Sequence, residues 1–484
     1  MDQISFTGFH MDDSGTINLF WENSETLNGV FKERNLQIKF DGAAKIDADI
    51  ALYMFCSVII PCYATLYKHP ISVTFNYKSN ESIPAQVLKY FDISNFSVHI
   101  GTTESPSFQF GRPGAMTHAL FYGGGKDSSL SAAIHADLYG AENTTLFRLV
   151  WDADLANLPR KKKIISEHLA TLKAKGFDIR FVESNFHGII ESREIGKSAN
   201  FALYPGLMAP ALAAGKYVQA AHGYDGSEFH FGNDSTKRAR FALVRPAAVN
   251  AYASVTGLAL KRAFSVRNFN YGIGPVPAFK LLSSTYPEYF SNIYMCERLG
   301  GKWCLKCRKC FTYALACLAN QEECDFNLGY YFENSKYVQD LVTEVESAFG
   351  EAIAQTPPQV DKFAHKNHTC AIIELASQID PTYARQKLWH KRYRNSFLNL
   401  VRIIEPFHYY DYPDHSKFWL RAFEEDQYSS GIAIEEQQRE KRILLDRCAQ
   451  ANVEVSYAYE FTGVNTGRVV SYRYGDADKQ TECL

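Results

Sequence analysis

The sequence predicts an α/β protein built on a doubly wound parallel sheet, and three observations carry that reading. From Met116 onward, short apolar strands alternate with helical segments. A glycine run, Gly123-Gly124-Gly125, stands between one such strand and the helix that follows it. Four of the eleven cysteines crowd between Cys296 and Cys310, which is not the scatter of ordinary core thiols.

The 484 residues exceed one small core and suggest roughly two to four domains. Hydrophobic residues at 46% and charged residues at 21% are the balance of a water-soluble globular chain. A formal net charge of -2 gives no electrostatic reason to expect nucleic acid as an obligatory partner. Met1-Asp2-Gln3-Ile4-Ser5 carries no basic region followed by an apolar stretch, so a cytoplasmic protein with reduced thiols is expected. Ile50–Leu66 contains no charged residue. It is shorter than the ~20 residues of a membrane span, and Pro61 interrupts it, so a buried helix is expected and no membrane partner.

Taken in order, residues 1–115 read as an N-terminal α+β domain. Thr16–Trp21 and Leu36–Phe40 alternate as strands, an apolar helix covers about residues 47–66, and Ile71–Phe75 is a further strand. Gly101–Gly114, rich in Ser, Pro, Thr and Gly, reads as a linker. Residues 116–330 form the parallel domain. Its strands are His118–Tyr122, Thr145–Trp151, Ile179–Val182 and Tyr217–Ala221, and its helices open at Asp127, at Pro159 and near Ala199. Residues 331–484 read as mostly helical, Tyr337–Phe349 being the clearest amphipathic segment, with strand-like alternation over Val453–Tyr474. No internal repeat is visible.

The glycine turn carries the first chemistry. A glycine run that opens a helix aims backbone amides and the positive end of the helix dipole at one point, which suits a phosphate. Lys126 adds a cation there, Asp127 caps the helix or holds Mg2+, and Ser128 offers a hydroxyl. The spacing is not the Walker pattern, which needs Gly, four residues, then Gly-Lys-Ser/Thr. It is not the dinucleotide fingerprint either, whose last glycine would fall among Asp127, Ser128 and Ser129. A ligand-free strand-to-helix turn is the bland alternative.

The cysteines carry the second. Cys296, Cys304, Cys307 and Cys310 follow C-x7-C-x2-C-x2-C, with Trp303 beside the second. Four thiolates at this spacing suit a closed, tetrahedral Zn2+ site, and an iron–sulfur cluster is the alternative that spacing leaves open.

Gly123–Ser128 resembles the Ser-Gly-Gly-x-Asp-Ser signature of the PP-loop (N-type ATP pyrophosphatase) superfamily, with Gly123 where serine is usual. The resemblance implies an adenine nucleotide alpha hydrolase-like fold and cleavage of ATP between its α and β phosphates. It implies that Gly123, Gly124, Gly125, Lys126, Asp127, Ser128 and Ser129 hold the nucleotide. With the cysteine site added, residues 117–312 look like the 7-cyano-7-deazaguanine synthase family. The pattern Gly-Gly-Gly-Lys-Asp-Ser, together with Cys296, Arg298, Trp303, Cys304, Cys307, Lys309 and Cys310, is similar to the UDP-N-acetylmuramoyl-L-alanyl-L-glutamate epimerase family. That likeness covers most of residues 10–400. It implies an ATP-dependent enzyme whose substrate is a small molecule with a free carboxylate, a UDP-linked muropeptide. The carboxylate would be activated as an acyl adenylate, the α-proton removed and returned on the other face, and a D-glutamyl product released for peptidoglycan. The alternative is a ligase that forms an amide or nitrile on a nucleobase, tRNA or protein, as in a defence system.

The loop His222–His230 follows a strand at the edge where α/β ligands bind, and it supplies acid–base candidates: His222, Asp225, Glu228 and His230. Asp152 and Asp154 follow the second strand, where they either contact metal or ribose or cap the next loop. Arg160-Lys161-Lys162-Lys163 reads as a solvated helix start before it reads as a phosphate site. Lys237, Arg238 and Arg240 are candidate clamps for phosphate or carboxylate, and His365 and His368 read as surface residues.

Overall fold

One sheet of ten strands runs through the protein, and its strand order explains where a ligand would bind. The computed structural model describes residues 2–151, 158–192, 204–223, 246–270, 273, 275–296, 302–353, 372, 375, 376, 378–404, 439, 442, 443, 446–451, 458–461, 467–471, 481 and 482.

The strands are β1 (Asp2–Met11), β2 (Thr16–Asn23), β3 (Asn35–Phe40), β4 (Ala44–Ile46), β5 (Ile71–Tyr77), β6 (Phe96–Thr103), β7 (Phe108–Phe110), β8 (His118–Phe121), β9 (Thr144–Trp151), β10 (Asp178–Ser184), β11 (Gln219–His222) and β12 (Ser265–Asn268). The large sheet has the order β12-β11-β8-β9-β10-β3-β2-β1-β5-β6. From β12 to β10 every pairing is parallel. The chain runs outward from β8 through β9 to β10, then returns to lay β11 on the other side of β8, so the order reverses between β8 and β11. Of these strands β8, β9, β11 and β12 are buried along most of their length, as expected where helices cover both faces, while β10 is largely half-buried.

Three findings revise the sequence reading. The sheet is mixed, because the pairs β10–β3, β3–β2 and β2–β1 are antiparallel, while β1–β5 and β5–β6 are parallel again. The N-terminal strands also do not form a separate sheet, since β3 pairs directly with β10, Val182 opposite Phe40. In addition, Gly101–Gly114 is more than a linker: it holds the end of β6 and all of β7, which pairs with β4.

The helices divide between the faces. On one face α1 (Ala48–Leu66), α2 (Ser82–Tyr90), α5 (Tyr204–Ala214) and α6 (Pro246–Leu260) share a core with Ile4, Phe6, Ile17, Leu19, Leu36 and Ile38. On the other lie α3 (Lys126–Tyr139), α4 (Leu158–Ala174), α7 (Pro275–Thr285) and α8 (Arg308–Ala319). The helices α9 (Leu328–Asn334), α10 (Lys336–Ile353), α11 (Pro381–Leu388) and α12 (Ser396–Ile404) extend this second layer.

By length and composition α1 alone among the described helices could cross a membrane, yet 83% of its apolar window is buried inside the protein. Asp47 caps it by accepting from the Ile50 amide at 3.1 Å. Pro61 does not end it. The turn just before, Phe55–Ile59, widens to a π-helix, which accommodates a residue with no N–H to donate.

Candidate functional site

The glycine turn lies at the carboxyl end of β8, beside the point where the strand order reverses. Ligands of open α/β sheets bind in this crevice. Gly124 has φ +83°, a left-handed conformation that disfavours any side chain. Its carbonyl accepts the Tyr294 amide at 2.6 Å, and a Cβ there would stand 3.5 Å from both His168 Nε2 and the Tyr294 carbonyl oxygen. Around Gly125, by contrast, a Cβ would meet no described atom within 4 Å. The turn is therefore tightly backed on one side and open on the other.

Gly125 is the N-cap residue of α3, and no side chain caps the helix. This corrects the capping role expected of Asp127, which lies inside the first turn. Its carboxylate is ion-paired with the buried ammonium of Lys126. Ser128 Oγ donates to the Gly125 carbonyl at 3.2 Å, and buried Ser129 lies 3.2 Å from the Tyr122 hydroxyl. A first helical turn leaves its amides without intrahelical acceptors, so the opening beside Gly125 faces a donor-rich, positively polarised helix end.

Two strands and a helix brace the turn. Arg148 on β9 reaches across to donate from NH1 to the carbonyls of Tyr122 (3.3 Å) and Gly123. Asn270 Nδ2, just past β12, donates to the Asp127 carbonyl at 2.5 Å and to the Gly223 carbonyl at 3.2 Å, tying α3 to the end of β11. Gly223 permits that approach: a Cβ would stand 2.6 Å from the Asp127 carbonyl oxygen. His168 on α4 stands behind the turn, its Nε2 3.4 Å from the Tyr122 hydroxyl. Burial first, then the cations Arg148 and Lys302, push its pKa down to about 3, so it is neutral at physiological pH.

His222 ends β11, which lies between the edge strand β12 and β8, and this places the acid–base candidate on the same crevice. Burial pushes its pKa down to about 4, so its imidazole is neutral at pH 7. Lys126, Asp127, Ser128, Ser129 and His222 are thus brought to one rim. Asp225, Glu228, His230, Lys237, Arg238, Arg240, Asp152, Asp154, Arg298, His365 and His368 lie outside the described residues, as do the side chains of Arg160, Lys161 and Lys162. Lys163 pairs at 4.0 Å with Glu167 on its own helix, at the solvated surface expected of it.

Sequence reasoning missed Arg148, His168, Gly223, Asn270 and Tyr294 at the rim. Only Arg148 left a signal, as the lone charge in the apolar strand Thr-Thr-Leu-Phe-Arg-Leu-Val-Trp.

The four cysteines converge. Their sulfurs all lie within 4.8 Å of one another. Cys304 and Cys310 are 3.8 Å apart and Cys307 and Cys310 are 3.6 Å apart. A tetrahedron with metal–sulfur bonds of about 2.3 Å has edges of about 3.8 Å, so the set matches a single tetrahedral ion. It does not match a disulfide, whose sulfurs would sit about 2.05 Å apart. Local geometry prepares the site. Leu305 takes φ +58°, turning the chain so that the amides of Cys304 and Lys306 donate to the sulfurs of Cys296 (3.2 Å) and Cys304 (3.4 Å). Cys307 is the N-cap residue of α8 and Cys310 lies in its first turn. Hydrogen bonding among the crowded sulfurs holds the Cys307 thiol below its usual range and pushes Cys310 up, and burial first pushes Cys304 up, so without an ion one thiolate is shared among neighbouring thiols. Trp303 fixes the knuckle by stacking on Tyr313 at 4.2 Å and donating to Asp325 at 2.7 Å.

No family model, curated protein or solved structure matches this chain. The site therefore has to be read from its own geometry. The two centres are mechanically linked, since Tyr294, which holds Gly124, lies two residues before Cys296. Lys302, two residues before Cys304, donates to the Ser291 carbonyl at 2.7 Å and closes the same loop. The cysteine knuckle thus anchors the strap that backs the glycine turn.

Proposed function

We propose that the protein is an ATP-dependent enzyme that activates a substrate carboxylate as an acyl adenylate and releases pyrophosphate. One observation carries this reading: an uncapped helix N-terminus, opened by three glycines, with Lys126 and Asp127 in its first turn, lies at the carboxyl rim where the strand order reverses. In this reading the turn amides and Lys126 hold the β and γ phosphates that depart together as pyrophosphate, and Asp127 ligates Mg2+. A carboxylate oxygen attacks the α-phosphorus, the α–β bond breaks, and the acyl–AMP mixed anhydride remains. The four cysteines hold Zn2+, which has a structural part: with four thiolates bound it has no open position for chemistry.

The substrate proposed is the terminal L-glutamate of UDP-MurNAc-L-Ala-L-Glu. Adenylation converts a carboxylate into an ester-like carbonyl that stabilises an enolate, so a base can remove the α-proton. Neutral His222 on the rim is the described candidate for that base. Return of the proton to the other face and hydrolysis of the acyl–phosphate bond would give UDP-MurNAc-L-Ala-D-Glu and AMP. The second reading is an amide- or nitrile-forming ligase acting on a nucleobase, tRNA or protein, for which the exposed Trp389, Lys391, Arg392 and Arg394 are the favouring observation in the tRNA case.

Pyrophosphate release from ATP with Mg2+ is the test, measured with each candidate carboxylate with and without ammonia. Release that depends on the muropeptide, with deuterium from solvent appearing at Cα, is the expected result. Ammonia-dependent turnover without Cα exchange would replace the epimerase with the ligase. No ATP binding at all would end both readings.

A further inference from the structure

The segment from Pro381 to Ile404 carries six cations (Arg385, Lys387, Lys391, Arg392, Arg394 and Arg402) and no carboxylate, in a protein whose net charge is -2. Three of the six are spoken for: Lys387 pairs with Glu323, Arg402 with Glu346 at 3.3 Å, and Arg385 lies over the Phe397 ring at 5.3 Å. Lys391, Arg392 and Arg394 are exposed and form no ion pair among the described residues. Aromatic rings are interleaved with them. Trp389 is 54% exposed, and Tyr330, 49% exposed, meets the Tyr393 ring edge-on at 6.1 Å.

The loop that presents these groups is held in place. The Tyr393 amide donates to the His390 carbonyl at 2.7 Å, the Asn395 amide to the Glu333 carboxylate at 2.9 Å, and Ser396 Oγ to the buried Gly329 carbonyl at 2.6 Å. Among the described residues Glu333 is the one carboxylate bonded to the loop, and that backbone amide occupies it. Beneath the loop, Phe397, Leu400 and Ile403 of α12 are buried in the core.

We propose that this surface, Trp389, Lys391, Arg392, Tyr393 and Arg394 with Tyr330, binds single-stranded nucleic acid. Unpaired bases stack on exposed rings while fixed guanidinium and ammonium groups take the phosphates, and a preformed loop lowers the ordering cost. A duplex hides its base faces and would leave the rings unused. An anionic membrane would meet the charges, but α12 buries Phe397, Leu400 and Ile403 and leaves Leu398 as its one exposed large apolar side chain, too little surface for acyl chains. The inference stands apart from the ATP reading, since no residue of the glycine turn takes part.

The test is fluorescence anisotropy of labelled oligouridylate and oligothymidylate of roughly 20 nucleotides, longer than the ~4–16 that single-strand sites cover. Full-length protein is titrated across a range of salt. The wild type is expected to bind, with Trp389→Ala weakening binding about tenfold. Replacing Lys391, Arg392 and Arg394 together by Gln should lower the slope of log affinity against log salt by about 2, at ~0.7 per phosphate contact. Arg392→Lys with Arg394→Lys should retain the slope, and unchanged melting temperatures establish that the variants fold. The difference between the two oligonucleotides assigns RNA or DNA. Absence of wild-type binding at low salt, unchanged binding in both altered proteins, or binding only to duplex or to phosphatidylserine vesicles would overturn the proposal. Binding with no pyrophosphate release would leave it intact while removing the ATP reading.

Discussion

Gly223 shows how one missing side chain sets the geometry of the rim. Asn270 draws the end of β11 against the first turn of α3, and an alanine Cβ at 223 would meet the Asp127 backbone oxygen and Ser131 Oγ, each at 2.6 Å. Backbone cannot swing away as a flexible side chain can. Gly223→Ala should therefore cost about 1–3 kcal/mol in urea unfolding and, on the ATP reading, displace α3 enough to weaken nucleotide binding by calorimetry. Stability within ~0.5 kcal/mol of wild type would sink this account. Arg148 makes the complementary case. Its guanidinium satisfies the carbonyls of Tyr122 and Gly123 where the strand ends. Arg148→Met should lose about 1–3 kcal/mol by leaving them unpaired. On the ATP reading it should also weaken binding of magnesium pyrophosphate, with Arg148→Lys restoring part of both. Sequence alone exposed the turn itself, because glycines after an apolar strand have few other uses. It could not expose Asn270 or Tyr294, whose backbone-directed hydrogen bonds connect residues far apart in the chain.

At the scale of the element, the cysteine knuckle and α1 teach opposite lessons about legibility. The knuckle was readable because its chemistry needs four thiols at short spacing, and the structure brings all four within 4.8 Å. Helix α1 was readable as buried, but its course was not. Pro61 predicts a break, and only packing against α5 and α6 holds the helix through a π-turn. The three-residue strands β4 and β7 escaped reading because so few residues give no period to detect, and β12, Ser-Val-Arg-Asn, has a single apolar residue to mark it. The knuckle supports a direct test. Purified protein should contain one zinc per chain by mass spectrometry of metals, lose it in Cys304→Ser, and keep it in Cys324→Ser. Chelation should lower the melting temperature and, through Tyr294, loosen the turn, seen as faster amide exchange at Gly124–Ser128. Iron with visible absorbance in place of zinc would reverse the assignment of the metal.

For the whole molecule, buried histidines set the response to acid. His118 and His222 are held down to about 4 and His168 to about 3, while His135 is held well below the usual 6.5, burial being the leading cause for all four. Below pH 6.5 the unfolded chain takes up these protons and the folded protein does not. Stability present above pH 6.5 is therefore lost as pH falls toward 4, by up to ~1.4 kcal/mol per histidine per pH unit. Urea unfolding from pH 7.5 to pH 4.5 should show that slope, and His168→Gln should flatten it by about one proton; an unchanged slope would rule His168 out.

The continuous sheet makes a second prediction about the whole chain. Composition divides it near residue 115, yet β3 seals the edge of β10, and the N-terminal helices α1 and α2 complete the core over α5 and α6. Residues 116–484 produced alone would expose the open edge of β10 and an apolar layer including Phe147, Leu149, Leu207, Leu212 and Val249. An uncovered edge beside an uncovered apolar face promotes association between chains. The fragment should aggregate, whereas co-expression with residues 1–115 should recover a soluble complex by size-exclusion chromatography. A monomeric, cooperatively melting 116–484 fragment would show instead that the parallel half folds without its N-terminal cover.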